Sequence, residues 1–266
     1  MIKMIATDID GTILGHDFVF TPAVKECIKD LTARGIKVVL VTGRMHDAAT
    51  PVAEELGLDT PIISYQGGMV KEQYGEILYQ RTLDPEFAKK IIKWAKKNKV
   101  HLNIYMDDKL YVETDNETIR RYTCERHIPY NLCEFETVEL NNINKILAVD
   151  FEDSERVSSW VYYLGENFPE LYIVKSMPYF CEISNTEARK SHAVEFLRNY
   201  WGFKKEEVLA IGDQNNDIEL LKAGGIAVAM GNATLELKAC ADYITDTVEN
   251  DGFVKAIMRF TKDSHF

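Results

Sequence analysis

Short apolar runs alternate with amphipathic segments at the start of the chain. The first amphipathic segment has the features of a helix, with Thr21 as a candidate N-cap, Pro22 at the first helical position and Gly35 as the stop. The pattern predicts strands at residues 3–7, 36–41 and 61–64, helices at 21–34 and 47–56, and a hairpin around 69–79. Strands separated by helices and short connections favour a parallel, doubly wound (Rossmann-like) α/β sheet.

The pattern changes between residues 83 and 185. Strand-like runs follow one another there, with turn residues such as Asp107-Asp108-Lys109 between two of them, which favours antiparallel pairing. The segment is predicted to form strands at 101–106, 110–114, 145–151, 171–175 and 180–183, a helix that starts at 85, and helices near 116–126 and 154–166. We therefore expect a separate α+β unit of about 100 residues.

The alternation of apolar runs and amphipathic segments seen at the start of the chain resumes at Lys190. Helices are predicted at 190–200, from 217 and at 253–259, and strands at 208–211 and 226–229. The simplest arrangement is one α/β core domain, formed by residues 1–82 and 186–266, which is interrupted by an inserted α+β domain of residues 83–185.

Composition and charge disfavour some classes of function. With 46% hydrophobic and 27% charged residues the chain is typical of a globular protein. Its 42 acidic and 31 basic residues give a net charge of −11, which disfavours binding to nucleic acid and requires a local cationic site for any anionic substrate. The five cysteines form no CxxC pair. Asp8 and Asp10 interrupt the opening apolar run, and no apolar stretch reaches about 18 residues, so we expect a soluble cytoplasmic protein without membrane association.

Acidic clusters follow two of the predicted strands. Asp8-Ile9-Asp10-Gly11-Thr12 comes after the first strand, and Gly212-Asp213 to Asp217 comes after the strand at 208–211. Alternation along a strand would place Asp8 and Asp10 on the same side, at the carboxyl edge where open α/β sheets bind ligands. A tight Asp-Gly turn and a helix cap would each explain one cluster alone. Both together predict a Mg²⁺ site that includes Asp8 and Asp213.

Two further motifs offer groups for an anion. Thr42-Gly43-Arg44 ends the strand at 36–41 and combines a hydroxyl, exposed amides and a positive charge, which suits a phosphoryl group, although an ordinary Thr-Gly turn is an equally good explanation. Lys190 opens a helix, where a lysine is unfavourable against the helix dipole. A bound anion or a neighbouring Asp217 would offset that cost; a solvated surface lysine is the alternative.

In order and spacing these motifs resemble the haloacid dehalogenase-like phosphohydrolases, and among them the Cof-type sugar-phosphate phosphatases. The resemblance extends over essentially the whole chain and includes Ala229-Met230-Gly231-Asn232-Ala233 and Asn250-Asp251-Gly252. It implies that the inserted domain is a cap that selects substrates. It also implies a Mg²⁺-dependent phosphatase that hydrolyses small phosphorylated metabolites through an aspartyl-phosphate.

The resemblance further implies a role for each motif residue. Asp8 would be the nucleophile and Asp10 the general acid and base. Asp8, Asp213 and the carbonyl of Asp10 would hold Mg²⁺, Arg44 would contact the substrate, and Asp217 would orient Lys190 or a metal-bound water. The phosphoryl group would be held by Ile9, Thr42, Gly43, Lys190 and Asn216.

The chain departs from the subfamily's pattern at two places. Gln66-Gly67 stands where Asn-Gly is frequent, and no glycine directly precedes Lys190. Both departures concern the shape of the phosphate pocket. A sugar phosphomutase with the same intermediate is the nearest alternative, and a phosphoaspartate receiver domain is an alternative from a different functional class. The receiver is disfavoured because Asp10 stands two residues after Asp8, as a general acid should, and because a receiver has no use for a cap.

Overall fold

The protein is represented by a computed structural model that describes residues 1–15, 19–124 and 128–261. The chain forms two compact units, a core unit of Met1–Tyr79 and Arg189–Phe266 and an inserted unit of Gln80–Ala188. Within the described residues, no helix is both long enough and apolar enough to cross a membrane.

The strands and helices are numbered here in chain order. The strands are β1 Met4–Thr7, β2 Lys37–Leu40, β3 Ile62–Ser64, β4 Met69–Lys71, β5 Ile77–Gln80, β6 His101–Met106, β7 Lys109–Val112, β8 Tyr130–Leu132, β9 Ile143–Val149, β10 Leu171–Met177, β11 Phe180–Asn185, β12 Val208–Gly212, β13 Ile226–Ala229 and β14 Tyr243–Ile244. The helices are α1 Pro22–Ala33, α2 His46–Glu55, α3 Pro85–Asn98, α4 Glu117–Cys124, α5 Ser154–Asn167, α6 Lys190–Tyr200, α7 Ile218–Ala223, α8 Leu235–Ala239 and α9 Gly252–Thr261. The predicted helix from residue 116 extended to 126, and its residues 125 and 126 lie outside the described residues.

The core unit contains a parallel sheet in the order β14-β13-β12-β1-β2. Alternate residues of β1 pack on opposite sides: Ile5 joins the apolar cluster that includes α1, α2 and α9, whereas Met4 and Ala6 join the cluster that includes α6 and α7. Helices therefore cover both faces of the sheet, which confirms the predicted doubly wound α/β fold. α1 begins as predicted, because the Thr21 hydroxyl accepts a hydrogen bond from the amide of Val24 (3.2 Å).

The third predicted strand differs from the expected arrangement. β3 meets the parallel sheet through a single bridge between Val41 and Ile63 and instead pairs antiparallel with β4, in a separate sheet of the order β3-β4-β5. The backbone turns into a left-handed conformation directly after Ser64, at Tyr65 and Gln66. This turn ends β3 after three residues and sends the chain back along it as β4.

The inserted unit has a sheet in the order β10-β11-β9-β6-β7-β8. Its neighbouring strands are antiparallel, as predicted, apart from the parallel pair β7 and β8. Leu102, Ile104 and Met106 of β6 share an apolar cluster with residues of α3 and α5. The alternate positions of the same sheet carry polar side chains, including Asn103 on β6, Lys145 on β9 and Glu182 on β11.

Candidate active site

Parallel pairing of β1 with β12 brings the two acidic clusters together. Thr7 is in register with Ile211, and the amide of Asp8 continues the ladder by donating to the carbonyl of Ile211 (3.0 Å). Asp8 and Asp213 therefore lie at the carboxyl ends of adjacent strands. Carboxylate oxygens of Asp8, Asp213 and Asp217 lie within 4.8 Å of one another, and all three residues are buried.

Lys190 lies against this group of carboxylates. Its Nζ donates to Oδ1 of Asp8 (2.6 Å) and to Oδ1 of Asp217 (2.6 Å), and its side chain is only 1% exposed. The same Nζ also donates to the carbonyl of Val41 at the end of β2 (3.1 Å). The carboxylates offset both the burial of the ammonium group and its unfavourable position at the start of α6. Lys190 is thus a buried cation, and the surface alternative is wrong.

Asp217 has little freedom to move. One of its carboxylate oxygens accepts from Lys190, and the other accepts from the amides of Asp213 (3.0 Å) and Gln214 (3.1 Å). A Cβ atom added at Gly212 would lie 2.5 Å from the Cβ of Asp217, so this close approach requires glycine. Asp217 therefore fixes Lys190 on one side and the loop that carries Asp213 on the other.

Asp213 is held by neighbours on both sides. Its carboxylate accepts from the hydroxyl of Thr12 (3.0 Å) and from Nε2 of Gln214 (3.0 Å). Gly11 has a φ of 83°, and a Cβ atom there would lie 2.4 Å from Oδ2 of Asp213. Nδ2 of the Asn232 side chain donates to the carbonyl of Gly11 (2.8 Å) and so ties this turn to the loop after β13. The contacts of Thr12 and Asn232 join segments distant in sequence, and none of these supporting contacts was among the predicted roles.

The cluster of carboxylates is electrostatically costly without a further cation. Burial raises the pKa of Asp8 well above its usual value, and the charge of Asp217 raises it further. Burial and Asp217 also raise the pKa of Asp213 to about 7. For Lys190, burial alone would lower the pKa, but Asp217 and Asp8 outweigh it and raise the pKa above its usual value. Lys190 supplies one positive charge against three carboxylates, and the ligand atoms that these carboxylates offer are all oxygens. Such a cluster suits a hard divalent cation.

Asp10 is not a member of this group of three carboxylates, although its charge contributes to the raised pKa of Asp8. Oδ2 of Asp10 accepts from Nε of Arg44 (2.9 Å) and Oδ1 from Nη2 (2.5 Å), which makes a bidentate ion pair. The expected strand alternation does not apply to Asp10, because β1 ends at Thr7 and Asp10 lies in the following turn. The Asp10 side chain is 36% exposed. It is therefore the accessible carboxylate of its motif, and Arg44 is its partner, a contact that the sequence did not suggest.

The remaining predicted residues lie in the loops after β1 and β2 and before α7. Thr42 is buried, and its hydroxyl accepts from the amide of Arg44 (3.1 Å), with Gly43 between them. Asn216 donates through Nδ2 to Oε1 of Gln66 (3.1 Å). The Ile9 side chain is buried in the apolar core, so this residue could meet a phosphate only through its backbone.

Gly67 makes a close backbone approach to the start of α6. It has a φ of 97°, and a Cβ atom there would lie 2.2 Å from the carbonyl oxygen of Arg189 and 2.7 Å from the amide nitrogen of Lys190.

We expect Gly67→Ala to lower the free energy of unfolding by about 2–4 kcal/mol, from left-handed strain and steric overlap, and to reduce turnover by displacing Lys190. Gly202→Ala is the matched control, since Gly202 has a φ of 69° with open space around it. If urea denaturation shows the same loss of unfolding free energy in both variants, steric overlap at Gly67 is not the cause.

An α/β sheet that presents a lysine-paired aspartate at the carboxyl end of an interior strand suits an enzyme that transfers phosphoryl groups. The chain belongs to the haloacid dehalogenase-like hydrolases, whose family profile matches residues 5–257, and it is of the Cof type.

Similar proteins agree with this membership. A putative phosphatase of Haemophilus influenzae is 29% identical over 255 residues, with 95% of each chain covered. A Bacillus subtilis phosphatase named for 5-amino-6-(5-phospho-D-ribitylamino)uracil is 30% identical, with 96% of this chain and 94% of that protein covered. The crystal structure of a Thermotoga maritima protein matches with a TM-score of 0.84 and 30% identity over 99% of each chain. The chain is therefore a phosphatase, and the receiver-domain alternative is wrong.

Proposed function

We propose that this enzyme hydrolyses small phosphomonoesters with Mg²⁺, through a phosphoryl group carried covalently on Asp8. The observation that carries the proposal is the ion pair between Asp8 and Lys190 at the end of β1, beside Asp213 and Asp217. A carboxylate held by a buried lysine is fixed in place, and the positive charge next to it attracts the anionic phosphoryl group.

The chain's own residues account for both halves of the reaction. A carboxylate oxygen of Asp8 attacks phosphorus, the bond from phosphorus to the ester oxygen breaks, and Asp10 donates a proton to that leaving oxygen. Asp10 then takes a proton from a water molecule whose oxygen attacks phosphorus, which releases inorganic phosphate and restores Asp8. Arg44 holds Asp10 as a carboxylate through two hydrogen bonds, so this contact must open for Asp10 to take up the proton that it donates to the leaving oxygen.

Several residues would bind the phosphoryl oxygens and the metal. The hydroxyl of Thr42, the amide of Gly43, Lys190, Asn216 and the backbone of Ile9 supply donors for the phosphoryl oxygens, and Arg44 adds charge on the substrate side. Asp8, Asp213 and the carbonyl of Asp10 would hold Mg²⁺, while Asp217 orients Lys190. When bound, the cation neutralises charge on the phosphoryl group.

The inserted unit is proposed to select the organic part of the substrate. Besides the apolar face toward α3 and α5, its sheet carries polar side chains, among them the ion pair of Lys145 with Glu182 (2.9 Å). Such groups suit a hydroxylated molecule, and the ribitylaminouracil phosphatase named above is a relative whose name specifies a polyol phosphate.

A panel of sugar, polyol, nucleotide and vitamin phosphates tests the proposed substrate class. We expect sugar or polyol phosphates to give the highest kcat/KM; comparable efficiency on a folded phosphoprotein would contradict the proposal.

Turnover should depend on a divalent cation. We expect EDTA to reduce hydrolysis of p-nitrophenyl phosphate by about 100-fold or more, because one buried lysine cannot balance three carboxylates and a phosphoryl group. Excess Mg²⁺ should restore the rate, and far-ultraviolet circular dichroism should show that the chelated protein stays folded. Undiminished turnover in EDTA would disprove the metal assignment.

Asp10→Asn should slow the enzyme according to the leaving group. A sugar alkoxide needs a proton to leave, whereas p-nitrophenolate does not, so phosphoenzyme formation should slow by roughly 10²- to 10⁴-fold with a sugar phosphate and far less with p-nitrophenyl phosphate. Dephosphorylation should slow for both substrates. Rapid-quench single-turnover kinetics separates the two steps. Equal slowing of phosphoenzyme formation for both leaving groups would mean that Asp10 is not the acid.

A further inference from the structure

The turn between β3 and β4 has an unusual backbone. Tyr65, Gln66 and Gly67 have φ values of 53°, 59° and 97°, so three successive residues are left-handed. Only the last is glycine, and side chains at the other two positions disfavour this conformation. Both side chains are nevertheless buried. Such a turn persists only where contacts with the surrounding structure hold it in place.

The residues of the turn together contact three segments of the candidate active site. The amide of Tyr65 donates to the carbonyl of Arg44 (3.0 Å), and the amide of Gln66 donates to the carbonyl of Thr42 (3.0 Å). Gly67 lies against the backbone of Arg189 and Lys190. The side chain of Gln66 reaches the remaining segment, where its Oε1 accepts from Nδ2 of Asn216.

The hydrogen bond from Asn216 to Gln66 has a direct chemical consequence. A carboxamide has a donor end and an acceptor end of nearly the same shape, and only the donor end can bind a phosphoryl oxygen. Gln66 accepts one hydrogen of Nδ2 and leaves the other available. Oδ1 of Asn216 is buried and has no hydrogen-bond partner among the described residues, so Gln66 is the group that sets the direction of this amide.

We propose that Gln66 is a positioning residue for phosphate binding, which holds the amide of Asn216 with its nitrogen directed at the phosphoryl oxygens. The proposal rests on the proposed function, in which Asn216 binds phosphate. It also explains the departure from the Asn-Gly pattern at this turn. An asparagine at position 66 would be one methylene shorter and would not span the 3.1 Å contact without movement of the turn.

Gln66→Asn and Gln66→Gly test the proposal, because both residues tolerate a left-handed backbone and neither supplies the long amide. We expect each variant to lower kcat/KM for p-nitrophenyl phosphate in Mg²⁺ by about three- to tenfold, the effect of one hydrogen bond. In an Asn216→Ala background the same substitutions should have no further effect. Gln73→Asn is the matched control, since the side chain of Gln73 donates to the carbonyl of Leu58, which is not among the candidate site residues.

The two backgrounds distinguish positioning from a structural role. If Gln66 only shaped the turn, Gln66→Gly would reduce kcat/KM by the same factor with and without Asn216, and that additivity would overturn the proposal. Wild-type rates in Gln66→Asn and Gln66→Gly would overturn it as well. If the wild-type enzyme hydrolyses no phosphomonoester, the proposed function fails separately. Calorimetric titration with inorganic phosphate then decides: three- to tenfold weaker binding by Gln66→Gly supports the positioning role, and unchanged or absent binding overturns it.

Discussion

Asp8→Asn should reduce turnover by about 10⁴-fold or more with every phosphomonoester, because an amide cannot supply the oxygen nucleophile that attacks phosphorus. The two side chains have nearly the same shape, so packing at the end of β1 should be kept. Acid quenching during turnover of a labelled substrate should trap a phosphoenzyme in the wild type and none in Asp8→Asn. The position of the label is the decisive observation, because phosphate recovered on Asp8 of the wild-type enzyme separates the nucleophile from a residue that only binds metal or phosphate.

The same substitution should not destabilise the protein in chelator. Burial and the charge of Asp217 raise the pKa of Asp8, because both disfavour its ionised form. A neutral Asn removes that repulsion, so Tm in EDTA should equal or exceed the wild-type value. Asp59→Asn, at an exposed position of the core unit, is the control and should keep wild-type turnover. A trapped phosphoenzyme in Asp8→Asn would place the nucleophile elsewhere.

The core of the fold could be predicted because its local patterns agree with its tertiary contacts. Four of the five strands of the parallel sheet, β1, β2, β12 and β13, lie in apolar runs bounded by turn residues, and α1 carries both an N-cap and a proline at its start. The parts that were missed lack such patterns. β14 has two residues and β8 has three, and β8 contains the exposed Leu132, so neither shows alternation long enough to indicate a strand.

The candidate site was predictable where strand ends determine position. Asp8 and Asp213 meet because β1 and β12 are parallel neighbours, and a run of apolar residues before each aspartate is visible in the sequence. The pairs Arg44 with Asp10 and Gln66 with Asn216 are different, since they join residues 34 and 150 positions apart through side chains in turns. Turn conformation, above all the left-handed backbone at Gln66, decides these contacts, and periodicity does not encode it.

Lys190→Met should affect stability and turnover together. Methionine has a similar length and no charge, so the substitution leaves Asp8 and Asp217 buried without their shared cation. Removing one partner from a buried ion pair typically lowers the free energy of unfolding by about 3–5 kcal/mol, and we expect a loss of that size in EDTA by urea denaturation. Added Mg²⁺ should restore part of it, because a bound cation replaces some of the missing positive charge. Turnover should fall by about 10²-fold or more, since the phosphoryl group loses a positive neighbour.

Two further variants test whether the loss of positive charge causes the destabilisation expected for Lys190→Met. Lys222→Met removes a lysine that is 62% exposed and pairs with Glu219, and it should change the free energy of unfolding by less than about 1 kcal/mol. Asp217→Asn, combined with Lys190→Met, should recover part of the lost stability, because it removes one of the uncompensated carboxylates while an oxygen remains for the amides of Asp213 and Gln214. If the double variant is less stable than the sum of the single losses, repulsion among buried carboxylates is not what Lys190 relieves, and its role must be sought in packing at the start of α6.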